Sequence, residues 1–147
     1  MASAGDGELA GAVVERMFAV AEEARMQSHS PYSGFAVGAA VLTESDAIVP
    51  GTNVENASYG ATICAERAAV LGAISHGAGR PVAVAIVSDA RDAIWPCGEC
   101  LQVLAEFGGG VRVLTRGMDG AVGSTRLDEL LTQPFDDRLP APWRVPE

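Results

Sequence analysis

Residues 64–100 read CAERAAVLGAISHGAGRPVAVAIVSDARDAIWPCGEC and contain the segments from which the rest of the fold can be predicted. Its first part predicts a helix over about 64–76 that is apolar on most sides, which is typical of a helix buried on both faces. The β-branched and alanine-rich run Val82–Ser88 then predicts a central strand. A second cysteine, Cys97, begins another helix that should end near Phe107. Two helices that each begin at a cysteine therefore flank one buried strand in the sequence.

The segments outside this stretch add further helices and strands. Apolar residues at helical spacing predict a helix over about 8–28, and strands are expected at 35–43 and 49–53. Later strands are expected at 111–115 and 121–124, before a short helix at 127–131 for which Thr125-x-x-Asp128 resembles a capping box. This order predicts an α/β sheet with helices on both faces.

The chain of 147 residues is long enough for one domain with a full core. We predict that this domain spans 8–135. Residues 1–7 are small, polar and acidic, and are expected to form a flexible N-terminal tail. Residues 136–147 are expected to form an irregular C-terminal tail.

Composition limits the function classes. The net charge of −9 disfavours binding of long nucleic acids, whose phosphates would be repelled, but it does not disfavour an uncharged nucleoside. No apolar run approaches the roughly 20 residues that span a membrane. With no targeting segment recognised, we expect a cytoplasmic protein. The apolar fraction of 48% suggests that some apolar surface is buried between subunits.

All three cysteines, Cys64, Cys97 and Cys100, fall in two short motifs. A catalytic tetrahedral zinc takes three protein ligands and keeps its fourth position for water. Glu66, two residues after the first cysteine, is the right residue type to move protons for that water. The pattern therefore favours a zinc hydrolase site of the nucleobase-deaminase kind.

The charge of such a centre needs compensation, since three thiolates outweigh one zinc ion. Both cysteine motifs lie at predicted helix starts, where partial positive charge and free N–H groups stabilise thiolates. Arg67 is the first candidate to donate hydrogen bonds to the sulfurs, and Gln102 is a second. The alternative for Arg67 is a helix charge that faces solvent.

Other interpretations of the cysteines fit less well. The sequence WPCGEC at 95–100 resembles a thioredoxin-type redox motif, but a redox pair needs no third cysteine. A structural zinc site usually closes its shell with a fourth Cys or His, and neither His29 nor His76 has ligand-like spacing. An odd number of cysteines without a signal peptide argues against disulfides.

Four blocks, in this order, resemble the small zinc-dependent cytidine deaminases over about Met17 to Phe135. They are SPYSGFAVGAA at 30–40, NVENASYG at 53–60, CAER at 64–67 and PCGECLQ at 96–102. The resemblance implies a three-layer α/β/α cytidine-deaminase-like fold with a mixed sheet of about five strands. It also implies one Zn²⁺ per subunit and a homotetramer whose sites are shared between subunits.

The resemblance assigns roles within one subunit. The three cysteines would hold zinc, and Glu66 would be the proton shuttle. Asn53 and Glu55 would hydrogen-bond the ribose 3′-hydroxyl, which suits an amide and a carboxylate. Phe35 would pack against the substrate, and the backbone N–H of Ala65 would contact the pyrimidine O2.

A neighbouring subunit would supply three further residues. Ala57 and Tyr59 would lie near the 5′-hydroxyl, and Phe135 would lie against the base. An aromatic side chain in an otherwise irregular, polar tail is easier to understand if it enters another subunit's site. The alternative for Phe135 is ordinary anchoring of its own tail.

Four positions depart from the usual family pattern. Trp95 and Glu99 stand where small residues are common, Leu101 replaces an arginine, and Thr132 replaces a proline. Trp95 and Pro96 should line the path by which the amine leaves, so they are candidate pocket residues. Glu99 and Leu101 would make zinc a weaker Lewis acid if both pointed inward, and would matter little if both pointed to solvent.

The activity implied is hydrolytic deamination of cytidine and 2′-deoxycytidine to uridine and 2′-deoxyuridine, with release of ammonia, as in pyrimidine salvage. The altered zinc loop leaves open a modified cytosine nucleoside or a cytosine antibiotic such as blasticidin S as substrate. A non-catalytic zinc- or nucleoside-binding protein is a further alternative. Editing of DNA or tRNA fits poorly with a charge of −9 and no basic stripe.

Overall fold

The computed structural model describes residues 9–135, so the predicted tails at 1–7 and 136–147 lie outside the described residues. The helices and strands follow the predicted order. They are α1 (Gly11–Arg25), β1 (Val37–Thr43), β2 (Ile48–Thr52), α2 (Ala65–Ser75), β3 (Pro81–Ser88), α3 (Gly98–Ala105), β4 (Arg112–Arg116), β5 (Val122–Arg126) and α4 (Leu127–Leu130). A single 3-10 turn, Tyr59–Ala61, lies in the loop before α2. Within 9–135 no helix is both long and apolar enough to cross a membrane.

The first strand begins later than predicted, at Val37 rather than at 35. Polar side chains bind much of the backbone just before it, together with one main-chain bond from the Asp89 N–H to Ala36 O at 3.1 Å. The Asn53 side-chain amide donates to Phe35 O at 2.8 Å, and Asp89 accepts from the Ala36 N–H at 2.9 Å. The residues before β1 are therefore held from both sides by polar side chains.

The capping box predicted at Thr125-x-x-Asp128 is wrong. Thr125 lies in β5, the N-cap of α4 is Arg126, and no side chain caps that helix. The hydroxyl of Thr125 donates instead to the carboxylate of Glu129. Strand β5 ends at Arg126 and α4 begins at Leu127, so no residue between them is free to act as a separate cap.

The sheet has the strand order β2-β1-β3-β4-β5. Only β3 and β4 pair in parallel, and the other neighbours are antiparallel, so the predicted mixed sheet of five strands is confirmed. A parallel pair needs a crossover connection, and α3 provides it. The end of β3, the start of β1 and the end of β2 consequently meet at one edge of the sheet, which we call the site edge.

Alternate residues of the strands pack against helices on opposite faces, which confirms the predicted three-layer arrangement. One face packs against α1. Its buried residues are Met17, Phe18, Ala21, Ala40, Leu42, Ala83, Ala85, Val87 and Leu114. The other face packs against α2, α3 and α4. Its buried residues are Ala39, Val41, Ala65, Ala69, Val70, Ala73, Val84, Ile86, Leu101, Leu104, Val111, Val113 and Leu127.

Two glycines allow helices to lie directly on the sheet. A Cβ on Gly38 of β1 would lie 1.9 Å from Ala21 O in α1, and one on Gly51 of β2 would lie 2.4 Å from Ala65 O in α2. Backbone atoms cannot move aside as a flexible side chain can. The two helices therefore sit closer to these strands than any residue with a side chain would permit.

We expect Gly38→Ala to lower the free energy of unfolding by about 1–3 kcal/mol, because the new methyl group must push α1 off the sheet. The matched control is Gly11→Ala at the start of α1, where a Cβ meets nothing within 4 Å. That control should leave stability unchanged or slightly raised. Urea unfolding of both variants provides the measurement, and equal stability of the two would contradict the packing argument.

Candidate active site

The three cysteines converge where α2 and α3 begin at the site edge. Cys64 is the N-cap of α2, Cys97 is the N-cap of α3, and Cys100 lies in the first turn of α3. Their Sγ atoms all lie within 4.8 Å of one another, with 3.8 Å from Cys64 to Cys97 and 3.5 Å from Cys97 to Cys100. Tetrahedral zinc with Zn–S bonds of 2.3 Å requires sulfurs about 3.8 Å apart. The thiols therefore fit one zinc ion.

The thiols are electrostatically unequal. A hydrogen bond from Cys100 lowers the pKa of the Cys64 thiol to about 5, and hydrogen bonds from Arg67 and Cys97 act in the same direction. The same contact with Cys64, together with burial, raises the pKa of the Cys100 thiol. When one of these two thiols is deprotonated, their shared hydrogen bond favours the thiolate at Cys64 and the proton at Cys100. Since metal binding requires thiolates, a bound ion must displace that proton.

Arg67 places positive charge beside the thiols. Its Nη2 lies 3.7 Å from Cys64 Sγ and donates to Thr62 O at 3.1 Å. The same nitrogen also lies 3.1 Å from a carboxylate oxygen of Glu99, whose side chain is 76% exposed. The chain thus places an acid on the solvent side of the guanidinium that faces the thiolate.

The other unusual positions of the zinc loop lie in different environments. Leu101 is buried in the core on the face of the sheet that packs against α2, α3 and α4. Trp95 is partly exposed and packs against β5, where a Cβ on Gly123 would lie 2.8 Å from its ring. Pro96 is buried. The extra volume of Trp95 is therefore used, at least in part, for packing on the sheet.

Glu66 is buried in the first turn of α2, with 6% of its surface exposed. Burial raises the pKa of its carboxyl, and the negative charge of Cys64 adds to that effect. A carboxyl whose pKa is raised toward neutrality can both accept and donate a proton, as a proton shuttle must. Its position two residues after Cys64 places it at the thiol cluster.

Asn53 lies just beyond the end of β2 and is 9% exposed. Its Oδ1 accepts hydrogen bonds from the Val37 N–H at 2.9 Å and the Ser28 hydroxyl at 2.6 Å. Its Nδ2 donates to Phe35 O at 2.8 Å. These contacts fix the orientation of the amide before any substrate is present.

Glu55 is fixed in a similar way. One carboxylate oxygen accepts from the backbone N–H groups of Tyr32 at 2.8 Å and Ser33 at 3.2 Å, and the other accepts from the Ser33 hydroxyl. The Ser33 hydroxyl is the main reason that the pKa of Glu55 is lowered. Sequence reasoning did not single out Ser33, since the pattern does not reveal which turn donor faces the acid.

The remaining predicted contacts lie on either side of the loop before α2. Ala65 is buried at the first position of α2, where helix N–H groups have no intrahelical partner. Phe35 is half-buried, whereas Ala57 and Tyr59 are exposed. The Tyr59 ring meets Tyr32 edge to face at 5.6 Å. The exposed pair is available for contact with a second molecule.

Gln102 lies in α3 but hydrogen-bonds a different partner from the one predicted. Its Nε2 donates to Phe135 O at 2.7 Å, and its Oε1 accepts from the Phe135 N–H at 3.0 Å. Among the hydrogen bonds of residues 9–135, none joins Gln102 to a cysteine sulfur. The sequence offered no signal for this contact, which spans 33 residues.

A match to a family model identifies the class of protein to which this chain belongs. The family model described as the cytidine and deoxycytidylate deaminase zinc-binding region matches residues 12–115. The fold and the thiol cluster thus define a zinc-binding deaminase domain.

Individual relatives agree with that class. A cytidine deaminase of Sporosarcina psychrophila is 42% identical over 83% of this chain and 90% of its own length, and one of Mycobacterium tuberculosis is 45% identical over 82% and 88%. The crystal structure of cytidine deaminase from Burkholderia pseudomallei superimposes with a TM-score of 0.78 at 40% identity, covering 82% of this chain and 98% of that chain. The chain belongs to the cytidine deaminase family.

Arg67→Gln should weaken zinc affinity by about 10–100-fold, because it removes the positive charge beside Cys64. Glu99→Gln should change the affinity by less than about threefold, since an exposed ion pair contributes little. Competition with a chromogenic zinc chelator measures both variants against the unaltered protein. Unchanged affinity of the Arg67 variant would show that the guanidinium does not support the thiolates.

Proposed function

We propose that this protein deaminates cytidine and 2′-deoxycytidine by hydrolysis, giving uridine and 2′-deoxyuridine and releasing ammonia. The observation that carries the proposal is the buried carboxyl of Glu66 in the helix turn that begins at Cys64. It lies beside three thiols spaced for one zinc ion. The names of the similar proteins support the substrate class.

The chemistry follows from these residues. Zinc held by Cys64, Cys97 and Cys100 would supply a Lewis acid that brings the pKa of a water molecule toward neutrality. Glu66 takes a proton from that water on a carboxylate oxygen and delivers it to ring nitrogen N3, while the water oxygen attacks C4. Glu66 then takes the remaining proton from the oxygen now bonded to C4 and delivers it to the amino group. The C4–N bond breaks, ammonia leaves, and C4 becomes the carbonyl carbon of uridine. The raised pKa of Glu66 suits a group that must alternate between these two states.

The base is oriented by groups next to the thiols. The N–H of Ala65 points from the first turn of α2 and would donate to the pyrimidine O2. The half-buried ring of Phe35 would pack against the substrate. Trp95 and Pro96 would lie near the departing amine.

The sugar is bound by Asn53 and Glu55 through its 3′-hydroxyl. Both side chains are held by protein donors and acceptors, so little ordering remains to be done on binding. A 3′-hydroxyl is common to ribose and 2′-deoxyribose. The proposed substrates therefore include both sugars.

We propose a homotetramer in which Ala57, Tyr59 and Phe135 act in a neighbouring subunit's pocket. All three side chains are exposed in the single chain. The exposed apolar side chains of Leu71 and Ile74 on α2 also support burial between subunits. The tetramer would thus form sites that one chain cannot complete.

We also propose a cytoplasmic location, as the sequence predicts. The three cysteines are free thiols. Zinc binding requires them reduced, and the cytoplasm is a reducing compartment.

Replacing Glu66 with Gln should lower kcat for cytidine by about 10²–10⁴-fold, because the amide can neither take nor give the protons. Zinc content should stay near one per chain, and the melting temperature should not fall. The control is Glu23→Gln on α1, at the opposite face of the sheet. An ultraviolet assay with parallel ammonia detection measures turnover. A fully active Glu66→Gln variant would contradict the proposed mechanism.

Ser33→Ala should lower kcat/KM for cytidine by about three- to tenfold, because Glu55 loses a hydroxyl that fixes its position. Activity on 3′-deoxycytidine should fall less, since that substrate has no hydroxyl for Glu55 to bind and is affected only through the bond from the Phe35 N–H to the Ser33 hydroxyl. The control Ser45→Ala removes a hydroxyl that donates to Ala78 O, at the other edge of the sheet. Equal losses on both substrates would rule out an effect through the sugar contact.

A further inference from the structure

The side-chain amide of Gln102 holds the backbone of Phe135 at two points. One amide atom donates to the carbonyl and the other accepts from the N–H, at 2.7 Å and 3.0 Å. This is the pattern by which a neighbouring strand binds a residue, supplied here by one side chain. Two such bonds fix both the position and the direction of the residue that they hold.

The ring of Phe135 is mostly left exposed by this arrangement. The residue is 73% exposed, although its backbone is fixed. A tail anchored for its own stability would be expected to bury the aromatic ring and leave the backbone to solvent. The observed arrangement is the reverse, so it presents the ring outward.

Gln102 also ties the tail to the metal site of its own chain. It lies two residues after Cys100 on α3, the helix that begins at Cys97. The position of the Phe135 ring is therefore set by the same rigid helix that carries two of the three thiols. One helix would serve two sites in different subunits.

We propose that Gln102 is a positioning residue that acts in trans: it holds Phe135 for the active site of a second copy of this chain. This inference rests on the proposed function, in which that ring contacts the substrate of a neighbouring subunit. It replaces the expectation that Gln102 supports the thiolates of its own subunit. The two roles predict opposite behaviour in mixed assemblies.

The first measurement compares Gln102→Ala with Phe135→Ala. Each should raise KM for cytidine by about tenfold or more, with a smaller effect on kcat, because the bound base loses a contact while Glu66 and the thiols are intact. Zinc affinity should be unchanged in both. Gln102→Glu, which retains the acceptor but lacks the donor, should fall between Gln102→Ala and the unaltered enzyme. Glu106→Ala, at the C-cap of α3, is the surface control.

The decisive measurement mixes subunits. Gln102→Ala subunits are co-expressed with an excess of Glu66→Gln subunits, which lack the shuttle but keep the clamp on Phe135. The KM for cytidine should then return to the value measured when unaltered subunits are mixed with the same excess of Glu66→Gln subunits. A defect that persists in the mixture would place Gln102 in its own subunit's site and overturn the proposal, as would weakened zinc binding by Gln102→Ala.

Further outcomes separate this inference from the proposed function. Unaltered enzyme that turns over no cytidine would remove the proposed function itself. An enzyme that is active but monomeric by light scattering would leave the function standing and overturn the role in trans. If Gln102→Ala does not fold, the mixing experiment is performed with Gln102→Glu and Phe135→Ala, whose losses must likewise be repaired by Glu66→Gln subunits.

Discussion

The close approach of α2 to the sheet at Gly51 is the constraint on which the candidate site depends. A Cβ there would lie 2.3 Å from Ala69 N, so the helix backbone rests directly on β2. This contact sets where α2 begins, and hence whether Cys64 can come within 3.8 Å of Cys97. Because residues 64–67 are consecutive, this one packing contact positions all the groups for which we propose roles in that segment. They are the Cys64 thiol, the Ala65 N–H, the Glu66 carboxyl and the Arg67 guanidinium.

Charge at the site is balanced by several small contributions rather than by one strong partner. Two helix N-termini face the thiols, and the Arg67 guanidinium lies on one side of Cys64. Glu66 is kept protonatable by burial, which limits the negative charge that it adds. Glu99 forms an ion pair with the same guanidinium on its solvent-exposed side, where water screens the interaction. The thiol cluster can thus tolerate the exposed carboxylate of Glu99, whereas a buried carboxylate at that place would add unscreened negative charge.

The sequence was sufficient for the order of elements and for the thiol cluster. Alternation and helical spacing report which faces are buried, and three cysteines in two motifs admit few other arrangements. Contacts made by polar side chains across the chain were not predictable in the same way. Gln102 could reach a sulfur or the tail, and only the path of the chain toward Phe135 decides between them.

Local signals also failed where two elements compete for one residue. Thr125 matches a capping pattern, but the pairing of β5 with β4 fixes its backbone as a strand. The backbone before β1 matches a strand pattern, but Asn53 and Asp89 occupy its polar groups. In both cases a tertiary hydrogen bond outweighed the local preference. Sequence periodicity does not report such hydrogen bonds.

The arrangement of the strands separates the proposed site from most of the turns between helices and strands. The proposed substrate contacts, the thiols and the segment before β1 all lie at the site edge, whereas the turns at 44–47, 76–80 and 106–111 lie at the other. Residues in those distant turns make none of the proposed contacts with substrate or metal. A peptide tag inserted in one of those turns would therefore be far from the proposed site.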